Sequence, residues 1–322
     1  MNSELEQRVR SRLDNLTKPR GSLGRLEDLV IQLALIQQTE HPTTSRKGLY
    51  IFCGNHGVTA EGVSPFPSSV THAMMRNFAA GGAAINVLCR RENIVTEVVD
   101  AGTEPGTKNF AQEPAMTRAE ATNAIALGSR HAEDAAERFD IAGLGEMGIG
   151  NTTSAAAIFS ALTGIDVGES AGSGTGLDEE GVLRKARVIR GALDRHRPDR
   201  NDGVAVLAAV GGFEIAAIAG FIGRASEIGL PVVLDGFPCC AGALVAQTIR
   251  PGALGTSFFG HRSAEKGHEK MLQTLGAKPV LDLGMRLGEG TGAALAMGII
   301  DRAITLYREM ATFGEAQVSM ER

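Results

Sequence analysis

The 322-residue sequence contains no tryptophan and only two tyrosines, and 21% of its residues are charged, with a net charge of −5. So few rings and so little positive charge argue against a nucleic-acid surface, which needs basic patches and stacking platforms. Cysteine is also scarce. Cys53, Cys89, Cys239 and Cys240 form no C-x-x-C pair, and adjacent cysteines make a poor disulfide framework. Reduced thiols packed as small hydrophobes in a cytoplasmic protein are expected. The histidines lack ligand spacing: His56 and His72 cannot share a helical turn, and His261 and His268 are seven positions apart. No metal site is therefore expected. The start, MNSELEQRVRSRL, is charged from its fourth residue and lacks the apolar core of a secretory signal. One run, Val204 to Gly223, is long enough to span a bilayer. Glu214 near its middle and the Gly211-Gly212 pair argue for two buried helical segments instead, with no membrane partner.

Glycine, by contrast, is abundant at 41 residues. Five short apolar runs, LYIFC (49–53), VTEVV (95–99), FDIA (139–142), PVVL (231–234) and PVLDL (279–283), are each followed by a glycine-bearing turn. Ala-rich stretches of helical period lie between several of them, which predicts a parallel sheet wrapped by helices. In such sheets ligands bind beyond the carboxyl ends of the strands, where these turns fall. The expected fold is α/β, a mainly parallel Rossmann-like sheet flanked by helices. Both chain ends are helical in period, so residues 1–45 and about 300–322 are expected to form a small helical domain beside a large α/β catalytic domain of 46–299. The loop 102–117 is the best candidate for a mobile or partner-contacting segment.

Gly143, Gly145 and Gly148 in GLGEMGIGNTT satisfy G-x-G-x-x-G, the fingerprint of a dinucleotide site. Glu146 would stand beside two phosphate charges there, so a single phosphate next to a working carboxylate fits better. The following Gly148, Ile149, Gly150 and Asn151 offer backbone donors at a helix start. GSGTGLDEEG (172–181) opens another helix, with acids in its first turn and Lys185 further in. GMRLGEGTGA (284–293) puts Glu289 between two glycines just before a helix, where a carboxylate is accessible. Ser263 reads as an N-cap for AEKGHEKMLQTL, with Glu265 as a first-turn acid.

LTKPRGSLGRLE (16–27), GNHGV (54–58), GEMGIGNTT (145–153), GTGLDEEG (174–181), LAAVGGFEIAAIAG (207–220) and LDLGMRLGEGTGAALAM (281–297) occur in this order. Together they resemble the nicotinate-nucleotide:dimethylbenzimidazole phosphoribosyltransferases, which make the lower-ligand nucleotide of cobalamin. The resemblance implies that 5,6-dimethylbenzimidazole attacks the anomeric carbon of nicotinate mononucleotide, releasing nicotinate and giving α-ribazole 5′-phosphate with inversion. It implies no cofactor, since the pyridinium is already a leaving group. By the same resemblance Glu289 is the general base and Glu146 a second carboxylate near the reacting ribose. Gly174, Thr175, Gly176, Lys185 and Ser263 would hold the 5′-phosphate, and Arg286 and the turn Gly148, Ile149, Gly150, Asn151 would lie along the nucleotide. Phe66 and Met74 would face the base. Met74 stands where many relatives carry a polar residue, and Ser173 where a basic residue is common, which bears on base preference and phosphate contact. A homodimer is implied, with apolar helices such as 239–249 available for its interface. Two alternatives remain at this point: the same reaction with another base, or an NAD-dependent oxidoreductase resting on the three glycines.

Overall fold

Four of the five apolar runs overlap strands of the structure, a computed structural model that describes residues 3–318. They are β1 (Lys47–His56), β2 (Ile94–Thr107), β3 (Ile141–Met147) and β4 (Val232–Leu234); a fifth strand, β5, is Ser257–Phe259. The sheet order is β2-β1-β3-β4-β5, and every neighbouring pair is parallel. The fifth apolar run, PVLDL (279–283), is not a strand. Leu281 makes one isolated parallel bridge with His261, and Val280 and Leu281 donate to the carbonyls of Phe259 and Gly260 at 2.8 and 3.0 Å. Pro279 lacks the N–H that would continue the pairing, so the segment only brushes the edge of β5.

β1 shows why buried parallel strands read as continuous apolar runs: every residue is buried, because both faces are covered. Tyr50 and Phe52 face the cluster that holds Phe221, Ala132 and Ile218. Leu49, Ile51 and Cys53 face the other cluster, with Met297, Ile300 and Leu33. Helices Arg118–Arg138 and Phe213–Ile228 pack in the first cluster, and helices Arg25–Ile36, Ala84–Glu92 and Thr291–Glu309 in the second.

The chain ends meet. Thr17 N donates to the Ala311 carbonyl at 3.0 Å, Phe313 N donates to that of Asn15 at 2.9 Å, and the Arg12 guanidinium lies 5.3 Å from the Tyr307 ring centre. Leu5, Val9, Leu13 and Tyr307 continue the apolar cluster that covers Leu49 and Ile51.

The Val204–Gly223 run forms two helices, Gly203–Val210 and Phe213–Ile228, parted at the glycine pair. No described helix is long and apolar enough to cross a membrane. Two other expectations change. The helix Phe237–Ile249 is covered by its own chain from Phe237 to Ala246, so the apolar side chains of that stretch belong to the core, while Ile249 at its end is exposed. Residues 102–107 extend β2, and the stretch after them is pinned by its backbone. Ala115 N and Met116 N donate to the carbonyls of Ala209 and Ala208 at 3.1 and 3.0 Å, and Phe110 is fully buried.

Candidate active site

The chain runs from β1 to β2 on one side and later to β3 on the other, so the topological switch point lies between β1 and β3. A cavity of about 530 Å³ lies beyond their carboxyl ends, where ligands bind in open α/β sheets. Glu146, Met147 and Gly148 line it from the end of β3, and Glu289 from the turn before the last helix.

The backbone brings those two carboxylates together. A Cβ on Gly145 would stand 2.4 Å from Gly290 N and 2.5 Å from its Cα. Only a glycine lets the end of β3 touch the 288–290 turn in this way. Glu289 N donates to the Glu146 carbonyl at 3.2 Å. Glu289 itself has φ 63°, between Gly288 at 84° and Gly290 at 90°. That left-handed backbone is strained for a residue with a side chain, and such strain concentrates at functional sites.

Asp235, just after β4, anchors the turn. Its carboxylate accepts from Gly290 N at 3.0 Å, Gly292 N at 2.7 Å and Ala293 N at 3.2 Å, so it caps the helix Thr291–Glu309. His261 Nε2 is 3.5 Å from Asp235 Oδ1.

Burial, then the charges of Asp235, Glu214 and Glu289, push the Glu146 carboxyl well above the usual carboxylate range. The Asn151 amide donates to it, which opposes the rise. Burial and Asp235 also raise Glu289, against a hydrogen bond from the Ile85 backbone. Glu289 Oε2 is buried and has no hydrogen-bond partner among the described residues. A carboxylate with raised proton affinity and a free oxygen can take a proton from a substrate.

The same cavity gathers residues expected at the phosphate. Gly174, Thr175, Ser263 and Arg286 line the cavity, and Arg286 Nη1 donates to the Gly174 carbonyl at 2.8 Å. Lys185 lies behind these residues. It is fully buried, and its Nζ donates to Thr152 Oγ1 at 2.8 Å and the Gly172 carbonyl at 3.3 Å. Burial pushes its pKa down to about 8, with Glu265 opposing.

Phe66, Val70 and Met74 form an apolar wall. Ile149 and Asn151 also line the cavity, whereas Gly150 and Gly176 do not. Gly150 packs on His56 and caps the helix Asn151–Thr163. Ser263 is no helix cap, because the helix begins at His268. Ser263 Oγ accepts instead from Glu265 N at 3.3 Å. Among the described residues, no group of three His, Cys, Asp or Glu side chains is arranged to hold a metal ion.

The family described as "Phosphoribosyltransferase" matches residues 1–318. A nicotinate-nucleotide–dimethylbenzimidazole phosphoribosyltransferase of Geobacter sulfurreducens is 47% identical over 99% of this chain and 95% of its own length. One of Desulforamulus reducens is 48% identical over 97% and 94%. The solved structure of the enzyme from Thermus thermophilus superposes with a TM-score of 0.92 at 43% identity, over 100% of both chains. The chain belongs to the nicotinate-nucleotide–dimethylbenzimidazole phosphoribosyltransferase family.

In this member of the phosphoribosyltransferase family the three glycines of the dinucleotide-like fingerprint are packing devices. A Cβ at Gly143 would meet Met297 Sδ at 2.9 Å, at Gly145 the Gly290 backbone, and at Gly148 the Gly54 carbonyl oxygen at 2.4 Å. Sequence reasoning missed Asp235, His261, Val70 and Thr152. It placed Glu265 only as a helix acid, yet Glu265 lines the cavity and accepts from Gly174 N at 3.0 and 3.2 Å. The one available signal for Asp235 was an acid immediately after an apolar run, in Leu234-Asp235-Gly236.

Proposed function

We propose that this chain moves the 5-phosphoribosyl group of nicotinate mononucleotide to 5,6-dimethylbenzimidazole, giving α-ribazole 5′-phosphate and nicotinate for assembly of the cobalamin nucleotide loop. The observation that carries this reading is the pair of buried carboxylates, Glu146 and Glu289, joined through backbone contact at one end of an apolar-walled cavity. One ring nitrogen of the base attacks C1′ of the ribose while the C1′–nicotinate bond breaks, its electron pair going to the pyridine nitrogen. The proton on the other azole nitrogen passes to Glu289. Glu146 faces the ribose, where its carboxyl oxygens hold sugar hydroxyls and present negative potential to the positive charge that develops in the transition state.

The Phe66, Val70 and Met74 wall takes the methylated face of the base, and an apolar wall favours dimethylbenzimidazole over more polar bases. The phosphate meets Gly174, Thr175, Ser263 and Arg286, with the Lys185 ammonium behind them. The same reading carries a cytoplasmic homodimer, to be checked by light scattering. It also carries a small helical domain made from residues 1–45 and about 300–322, of which 1–2 and 319–322 lie outside the described residues; the hydrogen bonds that join the two ends support it.

The test is to mix the purified chain with nicotinate mononucleotide and dimethylbenzimidazole, with adenine as a competing acceptor, and follow nicotinate and α-ribazole phosphate by chromatography and mass spectrometry. Release of both products supports the reaction. No nicotinate release with either acceptor refutes it, and preference for adenine refutes the assignment of the base wall.

A further inference from the structure

Two motifs stand behind the site without lining its cavity: Gly54-Asn55-His56-Gly57-Val58 and Gly211-Gly212-Phe213-Glu214. The structure joins them. His56 closes β1, Glu214 stands in the first turn of the helix Phe213–Ile228, and both side chains are fully buried. His56 Nε2 lies 2.7 Å from Glu214 Oε1. His56 Nδ1 lies 3.0 Å from Ser154 Oγ, in the first turn of the helix Asn151–Thr163.

Ser154 Oγ also lies 3.2 Å from the Gly211 carbonyl, so its one proton serves either that carbonyl or His56 Nδ1, according to the imidazole tautomer. The chain of hydrogen bonds ties together the ends of β1, the helix Asn151–Thr163 and the helix Phe213–Ile228.

The imidazole is walled by glycines. A Cβ at Gly212 would stand 2.4 Å from His56 Cε1, one at Gly148 would stand 3.3 Å from Nε2, and one at Gly150 would stand 3.1 Å from His56 Cβ. The Gly148–Asn151 turn therefore rests directly on the ring. That turn lines the cavity, and Asn151 donates to the Glu146 carboxylate.

We propose that His56, held by Glu214 and Ser154, is a positioning residue for the transfer reaction: it seats the Gly148–Asn151 turn and, through Asn151, orients Glu146. The inference rests on the proposed function for the reaction it serves. A buried, hydrogen-bonded histidine that only supports the fold would change stability and leave turnover per folded molecule intact. A positioning residue lowers kcat while substrate still binds.

The experiment uses full-length His56→Leu, Ser154→Ala and Glu214→Gln. Folded fraction is read by circular dichroism, nicotinate mononucleotide Kd by calorimetry, and kcat at saturating substrates. In Glu214→Gln the amide meets Nε2 in either tautomer, donating through its N–H or accepting through its oxygen, so the geometry is kept without the charge. His56→Leu is expected to lose about 100-fold in kcat, as a misplacement of a catalytic group by about 1 Å does. Ser154→Ala is expected to lose about three- to tenfold, the worth of one hydrogen bond, and Glu214→Gln to stay within about threefold. Kd stays within about threefold throughout, because the phosphate and base walls are untouched.

Should His56→Leu fail to fold, Ser154→Ala carries the test. The inference is overturned if Ser154→Ala and any folded His56→Leu turn over at the wild-type rate, or if Kd weakens in step with kcat. It is also overturned if Glu214→Gln loses as much as His56→Leu, since charge rather than geometry would then be at work. Wild-type protein that releases no nicotinate refutes the reaction and the inference with it; wild-type turnover with unaffected variants refutes the inference alone.

Discussion

Replacing Glu146 by glutamine is expected to make the protein more stable and less active. The side chain is buried, and desolvation followed by the charges of Asp235, Glu214 and Glu289 raises its proton affinity well above that of an ordinary carboxylate. Glutamine keeps the volume and the acceptor for Asn151 while removing the charge. Because the folded-state pKa lies above the unfolded one, the folded chain binds this proton more tightly. Its stabilising contribution is complete below the unfolded pKa and is lost as pH rises through the folded one. Across that window the wild type loses up to about 1.4 kcal/mol per pH unit, and Glu146→Gln loses none of it. Glu146→Gln is therefore expected to be the more stable of the two at pH 7. Urea melts of both proteins at pH 5, 6, 7 and 8 measure the gap between them, which is expected to shrink toward pH 5. A variant less stable than wild type at pH 7, or a gap that does not change between pH 5 and pH 8, would refute the reasoning. The cost is turnover, expected to fall by about 100-fold, the scale of losing one preorganised electrostatic contact.

Glu289→Gln is expected to lower kcat by about 10²–10⁴-fold with little change in nucleotide binding, as measured by steady-state kinetics beside calorimetry. The wild-type kcat is expected to fall on the acid side with a midpoint above the ordinary carboxylate value, since burial and Asp235 raise the Glu289 pKa. Gly145→Ala puts a methyl 2.4 Å from Gly290 N; it is expected to cost about 1–3 kcal/mol in a denaturant melt and to reduce kcat by lifting Glu289 off β3. The Lys185 ammonium, with its pKa pushed down to about 8, loses its charge as pH rises past that value. KM for nicotinate mononucleotide is therefore expected to rise above pH 8, and Lys185→Met to raise it by about tenfold at pH 7 without affecting the phosphate-free riboside. Cys53, Cys89, Cys239 and Cys240 are all buried and free, so an aromatic disulfide reagent is expected to label none in the native protein and all four in denaturant.

The sheet was legible where strands are covered on both faces, because burial forces an unbroken apolar run, as in Leu49–Cys53 and Val232–Leu234. It was not legible at the edge. Ser257–Phe259 is a three-residue strand opened by a serine, while PVLDL has the better pattern and lies beside the sheet, since pairing also needs a donor and a partner in reach. Glu146 and Glu289 were legible because flanking glycines mark an acid that the chain holds close to something else. Asp235, His261 and Glu265 were not, since their roles depend on backbone N–H groups or side chains brought from other parts of the chain. Lys185 was half legible: its helix and cap were expected, but its place behind the Gly172–Gly174 loop depends on how that helix packs.

The distribution of glycine follows from the same logic. If the Gly143, Gly145 and Gly148 series served a ligand directly, the room left by each missing side chain would open into the cavity. It is filled instead by Met297, by the Gly290 backbone and by the Gly54 carbonyl. Glu146 and Glu289 are thus brought together by main chain against main chain, with Asp235 holding the far side of the contact through three N–H groups. Two carboxyls whose charges would oppose one another are held close by these contacts, and the opposition is expressed in the raised proton affinity of Glu146. The left-handed Glu289, the buried carboxyl of Glu146 and the glycine seam are therefore one device. Relaxing any part of it, by Gly145→Ala or by neutralising Glu146, is expected to change stability and turnover together.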